Sequence, residues 1–106
     1  MTVKVLGVDY EIVESNKVDD SNLENADGYC DTSSKKIVID EFQQRENSKE
    51  NLEQYKQSVI RHEIIHAFLY ESGLDGESWA RNEEIVDWMA IQFPKLHEAF
   101  KSVEAL

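Results

Sequence analysis

The sequence of 106 residues predicts an α+β domain in which a small N-terminal sheet precedes a set of helices. Short stretches within the first 40 residues alternate apolar and polar side chains, as half-buried strands do. From residue 50 onward, apolar residues recur every three or four positions, as on one face of a helix. Because strands and helices occupy separate parts of the chain, we expect a small antiparallel sheet with helices against one face. The length is that of one domain, spanning residues 1–106.

Two strand-forming regions are predicted in the N-terminal part. Residues 3–13 contain two alternating stretches on either side of Gly7, which predicts a hairpin or one bent strand. Residues 28–31 and 36–40 flank the turn-forming segment T-S-S-K, which predicts a second hairpin. The polar residues 14–27 between the two regions are compatible with a surface loop or a short helical turn.

A long helix is predicted over residues 50–72. This stretch contains neither Gly nor Pro, and its apolar residues have helical spacing. Ser48 is expected to cap the helix at its N-terminus, and Gly73 to follow its last turn. The apolar positions are Leu52, Tyr55, Val59, Ile60, Ile64, Phe68 and Leu69.

A second helix and a short third helix are expected after a connection at residues 74–78. Pro94 lacks an N–H group and is expected to break or kink the second helix. Beyond it, Leu96, Phe100 and Val103 form an apolar stripe, which predicts a short C-terminal helix packed against the core. The second helix is indicated by the spacing of Trp79, Ile85, Trp88, Met89 and Phe93.

The charge balance restricts the classes of function. Eleven Lys and Arg residues stand against 22 Asp and Glu residues, for a formal net charge of -11. Such a chain repels nucleic-acid phosphates and anionic membranes, so we expect no nucleic-acid partner and no membrane partner. Cys30 is the single cysteine, which excludes an internal disulfide. No stretch resembles a signal peptide or reaches the length of a membrane span, so we expect a cytoplasmic location.

The string H-E-I-I-H at residues 62–66 lies inside the predicted long helix. His62 and His66 are four positions apart, about one helical turn, so both rings project from one face. Two imidazoles in this arrangement can hold one zinc ion. Glu63 is not needed as a ligand, and its carboxylate can act as general base toward a water on the metal. The string therefore predicts a hydrolytic zinc site, provided that a third ligand exists.

An acidic segment further along the chain offers that third ligand. Residues 82–87 read N-E-E-I-V-D, and Glu83 follows His66 by 17 positions, enough for a loop and a returning antiparallel helix. Glu83 would complete a His₂Glu site with the fourth position open for water. Asp87 lies one turn further on the same face and could accept the spare N–H of a ligand histidine. Glu84 is the rival ligand, about 100° around the helix, and we favour Glu83 because it shares a face with Asp87.

The motifs H-E-x-x-H and N-E-x-x-x-D together resemble the gluzincin branch of zinc metallopeptidases, the thermolysin-like group. The resemblance implies that His62, His66 and Glu83 bind the zinc ion. It also implies that Glu63 is the general base and that Asp87 supports His62. It further implies a zincin-like fold.

Chain length makes the protein more similar to the small ImmA/IrrE-like metallopeptidases of phages and mobile elements. The motif resemblance covers residues 55–93. It implies a protein or peptide substrate, with a repressor-type regulator as one example. Such peptidases hold their substrate as a strand added to a sheet edge, and we expect strand 36–40, which precedes the zinc helix, to be that edge.

These observations predict a zinc-dependent endopeptidase with Zn²⁺ as cofactor. An oxyanion donor is also required, and Tyr70, Tyr55 and His97 are the candidates. The alternative is a non-catalytic, zinc-containing regulatory protein of phage type that keeps a peptidase scaffold. A third interpretation has no metal and treats the two histidines of the motif as ordinary helix residues.

Overall fold

The computed structural model describes residues 1–42, 51–74, 76 and 79–106. Within these ranges, a four-stranded sheet is followed by two long helices, which confirms the α+β class. The elements in chain order are β1 (Thr2–Val5), β2 (Val8–Ser15), a 3₁₀ turn (Ser21–Leu23), β3 (Gly28–Asp31), β4 (Lys36–Asp40), α1 (Leu52–Glu71), a second 3₁₀ turn (Trp79–Arg81) and α2 (Glu83–Ser102).

The sheet is mixed, so the prediction of an antiparallel sheet is wrong. Its strand order is β1-β2-β4-β3. The hairpin predicted at residues 28–40 is confirmed, because β3 pairs with β4 in antiparallel fashion. Of the two alternatives for residues 3–13, the structure has the hairpin, since β1 pairs with β2 in antiparallel fashion. The two hairpins join through β2 and β4, which run parallel. Alternation of side chains identifies a strand but does not report the direction of its neighbour, and this is why the sequence missed the parallel pair.

The strand expected at the edge, β4, is an inner strand. It lies between β2 and β3, and its residues Ile37, Val38 and Ile39 are all buried. A continuous apolar run of this kind is typical of a strand that is covered on both faces. The edges of the described sheet are β1 and β3, so a substrate strand cannot add to β4.

A tight turn joins β1 to β2. Leu6 and Gly7 have φ angles of 49° and 87°. Positive φ at both central positions is the property of a type I′ turn, whose twist matches that of the flanking strands. Residues 3–13 therefore form a hairpin and not a single bent strand.

Helix α1 begins at a different cap from the one predicted. Asn51 is the N-cap, and its side chain accepts a hydrogen bond from the Gln54 N–H; Ser48 lies outside the described residues. The C-terminal prediction is confirmed, since Gly73 adopts a φ of 85° directly after the helix. Its N–H bonds to the Tyr70 carbonyl and the Leu74 N–H to the Leu69 carbonyl. These two bonds form a Schellman motif, which satisfies the last carbonyls of the helix.

Helix α2 continues through Pro94, so the predicted break and the separate C-terminal helix are wrong. A proline inside a helix leaves the carbonyl four residues earlier, here that of Ala90, without its helical donor. The Arg61 side chain on α1 supplies a replacement, because its Nε donates to the Ala90 carbonyl at 2.6 Å. The proline is thus tolerated because a neighbouring helix satisfies the backbone group that it frees.

The core lies between the sheet and α1. Tyr10, Ile37 and Ile39 from the sheet pack against Val59 and Ala67 of α1, and all five are buried. Gly28 lets α1 approach β3 closely, since a Cβ there would lie 3.0 Å from the Val59 side chain and 3.1 Å from the Val38 carbonyl oxygen.

Helix α2 packs on α1 and buries only Val86 and Ala90 among its apolar residues. Phe100 and Val103 are exposed, so their predicted role in core packing is wrong. An apolar stripe identifies a helix face but not whether another element covers it. No helix among the described residues is both long and apolar enough to cross a bilayer.

A polar cluster fastens the end of α1 to the sheet. The hydroxyl of the buried Tyr10 donates to Glu71 Oε2 at 2.6 Å, and the Lys35 ammonium donates to the same oxygen at 2.8 Å. The hydrogen bonds from Lys35 and then from Tyr10 hold the pKa of Glu71 below its ordinary value. A carboxylate whose pKa is lowered by folding stabilises the native state above its unfolded pKa, and this contribution disappears as the pH falls through the folded pKa.

The variant Tyr10→Phe should therefore unfold at a lower urea concentration than the native chain at pH 7, because it removes one hydrogen bond to a charged acceptor. The difference from the native chain should shrink as the pH falls through the lowered pKa of Glu71, because the protonated carboxyl group accepts more weakly. Urea unfolding at pH 7 and at acid pH measures both effects. An equal difference at pH 7 and at acid pH would contradict the ionic character of the acceptor.

Candidate metal centre

Two histidines from the middle of α1 form the inner part of the site. His62 and His66 lie four residues apart on the helix, and both are largely buried. Their Nε2 atoms are 3.1 Å apart, and the ring centroids are separated by 4.8 Å. Helix α1 therefore brings the two imidazoles together, as expected from their spacing.

Glu83 completes the group from the first residue of α2. Its Oε2 lies 2.8 Å from His62 Nε2 and its Oε1 lies 2.9 Å from His66 Nε2. Asn82 caps α2, and its side chain accepts from the Glu84 and Ile85 N–H groups, which sets the first turn that carries Glu83. Glu84, the rival ligand, is exposed and is not part of the group.

The donor set is suited to a divalent metal ion. The three ligand atoms lie within 4.8 Å of one another, and within the described residues no other group of three His, Cys, Asp or Glu side chains has this geometry. The two histidine Nε2 atoms are 3.1 Å apart, and each lies against a different carboxylate oxygen of Glu83, at 2.8 and 2.9 Å, so the three side chains converge on one position. Glu83 is mostly exposed, which leaves one side of the site open.

Asp87 lies behind the first histidine. Its Oδ1 is 3.3 Å from His62 Nδ1, the ring nitrogen that does not face Glu83. A carboxylate in this position accepts the Nδ1 proton and so directs the Nε2 lone pair toward a metal. The sequence predicted this contact from the spacing of Glu83 and Asp87, which are separated by one helical turn.

Glu63 is a buried carboxyl group beside the site, with 7% of its surface exposed. Burial raises its pKa above the ordinary value, while His62 and His66 act in the opposite direction. A carboxylate whose pKa is raised is a stronger base and therefore accepts a proton more readily near neutral pH. Glu63 also lines the same cavity as His62 and Glu83.

That cavity has a volume of about 850 Å³ and lies between α1, α2 and the start of β3. Of the three candidate oxyanion donors, it contains Tyr55 and neither Tyr70 nor His97. The Tyr55 hydroxyl hydrogen-bonds Asp27. Burial, followed by that bond, raises the pKa of Tyr55, so its hydroxyl remains a donor at neutral pH.

Tyr70 and His97 have other surroundings. The Lys35 ammonium lies 4.8 Å from the centre of the Tyr70 ring, near the polar cluster at the end of α1. His97 contacts Phe93, with ring centroids 6.1 Å apart.

Arg61 was not identified from the sequence, although it lines the cavity next to His62. Its bond to the Ala90 carbonyl links the helix of the histidines to the helix of Glu83. The signal for this role was Pro94, because an interior helical proline requires a substitute donor for the carbonyl of residue 90.

Comparisons with family models, with curated proteins and with solved structures found no match for this chain.

Proposed function

We propose that the chain is a zinc-dependent endopeptidase of the gluzincin type. The observation that carries this proposal is the convergence of His62, His66 and Glu83 beside the buried carboxyl of Glu63, at an open cavity. A structural zinc site would be closed and would not need an additional carboxyl group next to its ligands.

Each residue has a separate task in the proposed reaction. His62, His66 and Glu83 would hold the zinc ion, which would acidify a water molecule and polarise the scissile carbonyl. Glu63 would accept the proton of that water and return it to the leaving amine. Asp87 keeps His62 in the tautomer that presents Nε2.

The substrate in this proposal is a protein or peptide, with repressor-type regulators as one class to test. The cavity of about 850 Å³ is large enough for several side chains. Its lining contains the mostly exposed carboxylates of Glu83 and Asp87 as well as the exposed Lys95. Tyr55 is the candidate oxyanion donor because it is the one of the three that lines this cavity, and its hydroxyl would turn from Asp27 to donate to the oxyanion.

The first experiment combines metal analysis with a cleavage assay. We expect about one zinc per purified chain, and cleavage of a mixture of end-blocked peptides, read as new termini by mass spectrometry. Treatment with 1,10-phenanthroline should abolish cleavage, and added zinc should restore it, because the metal is needed for water activation.

Two results would overturn the proposal. Zinc retention without any cleavage, also of candidate repressors, would favour the alternative of a non-catalytic zinc-containing regulatory protein. A chain that binds no zinc from a buffered excess would remove both functions.

A further inference from the structure

Two cationic side chains line the cavity beside the middle of α2. Arg61 on α1 is half-buried, and Lys95 on α2 is exposed. The Arg61 Nε donates to the Ala90 carbonyl at 2.6 Å, and a helical carbonyl points toward the residue four positions later, here Pro94. Because Lys95 follows Pro94 directly, the two cations lie within about one turn of each other along α2.

The carboxylates in the cavity lining, apart from the buried general base, already have polar partners. Glu83 contacts the Nε2 atoms of both ligand histidines, and Asp87 contacts Nδ1 of the first of them. Asp27 accepts a hydrogen bond from the Tyr55 hydroxyl and lies 3.7 Å from the Lys17 ammonium. Each of these carboxylates therefore has a polar partner of its own within the chain.

The two cations have no anionic partner. Among the residues that the structure describes, neither Arg61 nor Lys95 forms an ion pair. Arg61 uses its Nε toward a neutral carbonyl, so within the same ranges the N–H groups of its two Nη atoms remain available. A half-buried guanidinium held at one nitrogen is suited to a carboxylate, with which it forms short, charge-assisted hydrogen bonds. This end of the cavity therefore offers an uncompensated positive charge to a bound molecule.

We infer that Arg61 and Lys95 form a subsite that binds a carboxylate of the substrate, an inference that rests on the peptidase function proposed above. Ala90, to which Arg61 is anchored, follows Glu83 by seven residues, or about 10 Å along α2. An extended peptide advances about 3.3 Å per residue, so the carboxylate belongs about three residues from the scissile bond. Both the side chain of Asp or Glu and the C-terminus of a peptide present this group.

The preference of this subsite is opposite to that of the whole chain. A net charge of -11 attracts basic peptides at long range. Salt at physiological strength screens charges beyond about 8 Å, whereas a contact with a half-buried guanidinium is screened much less. A preference for an acidic residue at one position, measured at physiological salt, therefore reports the subsite and not the overall charge.

Cleavage of scanned peptide mixtures by the zinc-loaded chain tests the inference. Each mixture has blocked ends, contains no other acidic residue and carries Glu, Gln or Lys at one fixed position, and mass spectrometry locates the cuts. We expect Glu mixtures to be cut ~10-fold faster than Gln mixtures, about three residues from the Glu, because only Glu supplies a charged acceptor. Gln mixtures with a free C-terminus show whether a terminal carboxylate serves equally well. Equal rates for all mixtures, or faster cleavage with Lys, would overturn the subsite.

Substitution of the two cations separates recognition from helix packing. Lys95→Gln and Arg61→Gln should each reduce the preference for Glu over Gln by ~3-fold or more, because each removes one charge from the subsite. A purely structural effect would slow both mixtures equally and leave their ratio unchanged. Lys101→Gln is the matched control, since it makes the same change at an exposed position of α2 outside the cavity, and it should keep the native ratio. A native ratio in both Lys95→Gln and Arg61→Gln would overturn the assignment.

A binding measurement distinguishes failure of the subsite from failure of the proposed peptidase function. Fluorescently labelled Glu and Gln mixtures are titrated with the metal-free chain in the presence of chelator, and binding is read as fluorescence anisotropy. The Glu mixture should bind ~10-fold more tightly, because the two cations do not depend on the metal. A chain that cleaves both mixtures equally keeps the peptidase function and loses the subsite. A chain that cleaves neither but binds the Glu mixture more tightly keeps the subsite and loses the peptidase function, and equal or absent binding of the two mixtures would overturn the subsite.

Discussion

The variant Glu63→Gln should hold about one zinc per chain and lose proteolysis by ~10²- to 10⁴-fold, the range that general acid–base catalysis contributes. Glutamine has nearly the shape of glutamate but cannot accept the proton of the attacking water. Zinc should remain because the three ligand side chains are unchanged. Metal analysis and peptide cleavage, measured on the same preparation, separate the two properties.

The matched control is Glu53→Gln, which makes the same chemical change in the first turn of the same helix, at an exposed position outside the cavity. It should retain native zinc content and native cleavage. Full activity in Glu63→Gln would remove the assigned role of general base. Loss of zinc in that variant would instead assign Glu63 to metal binding or to the integrity of α1.

Glu83→Gln should weaken zinc binding by more than ~100-fold, whereas Glu84→Gln should leave it unchanged. The reason is geometric, because Glu83 contacts both histidine Nε2 atoms and Glu84 is outside the group. Replacing an outer partner of a zinc ligand already costs 10- to 100-fold, so replacing a ligand costs more. Competition with a chromophoric chelator of known zinc affinity gives the two dissociation constants.

Asp87→Asn provides an intermediate case in the same measurement. Its contact is with His62 Nδ1 and not with the metal position, so a loss of about 10- to 100-fold is expected. Equal losses in Glu83→Gln and Glu84→Gln would mean that α2 binds the metal in another register. No loss in Glu83→Gln would reduce the site to two histidines, too few for the proposed enzyme.

Much of the candidate site was predictable because it depends on local periodicity. The spacing of His62 and His66 needs only a helix to bring both rings to one face, and α1 forms as expected. Glu83 and Asp87 are related by the same one-turn spacing on α2. The hairpin of β3 and β4 was also predictable, because its turn and flanking strands are contiguous in the chain.

Contacts between distant segments were decided only by the tertiary structure. Because β2 pairs with β4 in parallel, β4 is an inner strand and not the expected edge strand. No residue pattern within either strand specifies that pairing. Helix α2 continues through Pro94 because Arg61, 33 positions earlier, supplies the donor for the Ala90 carbonyl.

The exposure of the apolar stripe on α2 was also decided by tertiary contacts. The periodicity of the stripe predicted a helix, but burial of a side chain depends on which element lies opposite it, and α1 covers only the side of Val86 and Ala90. Helical and strand periods follow from backbone geometry over a few residues, and a sequence contains them directly. Which segments meet follows from the packing free energy of the whole chain, to which distant residues contribute jointly.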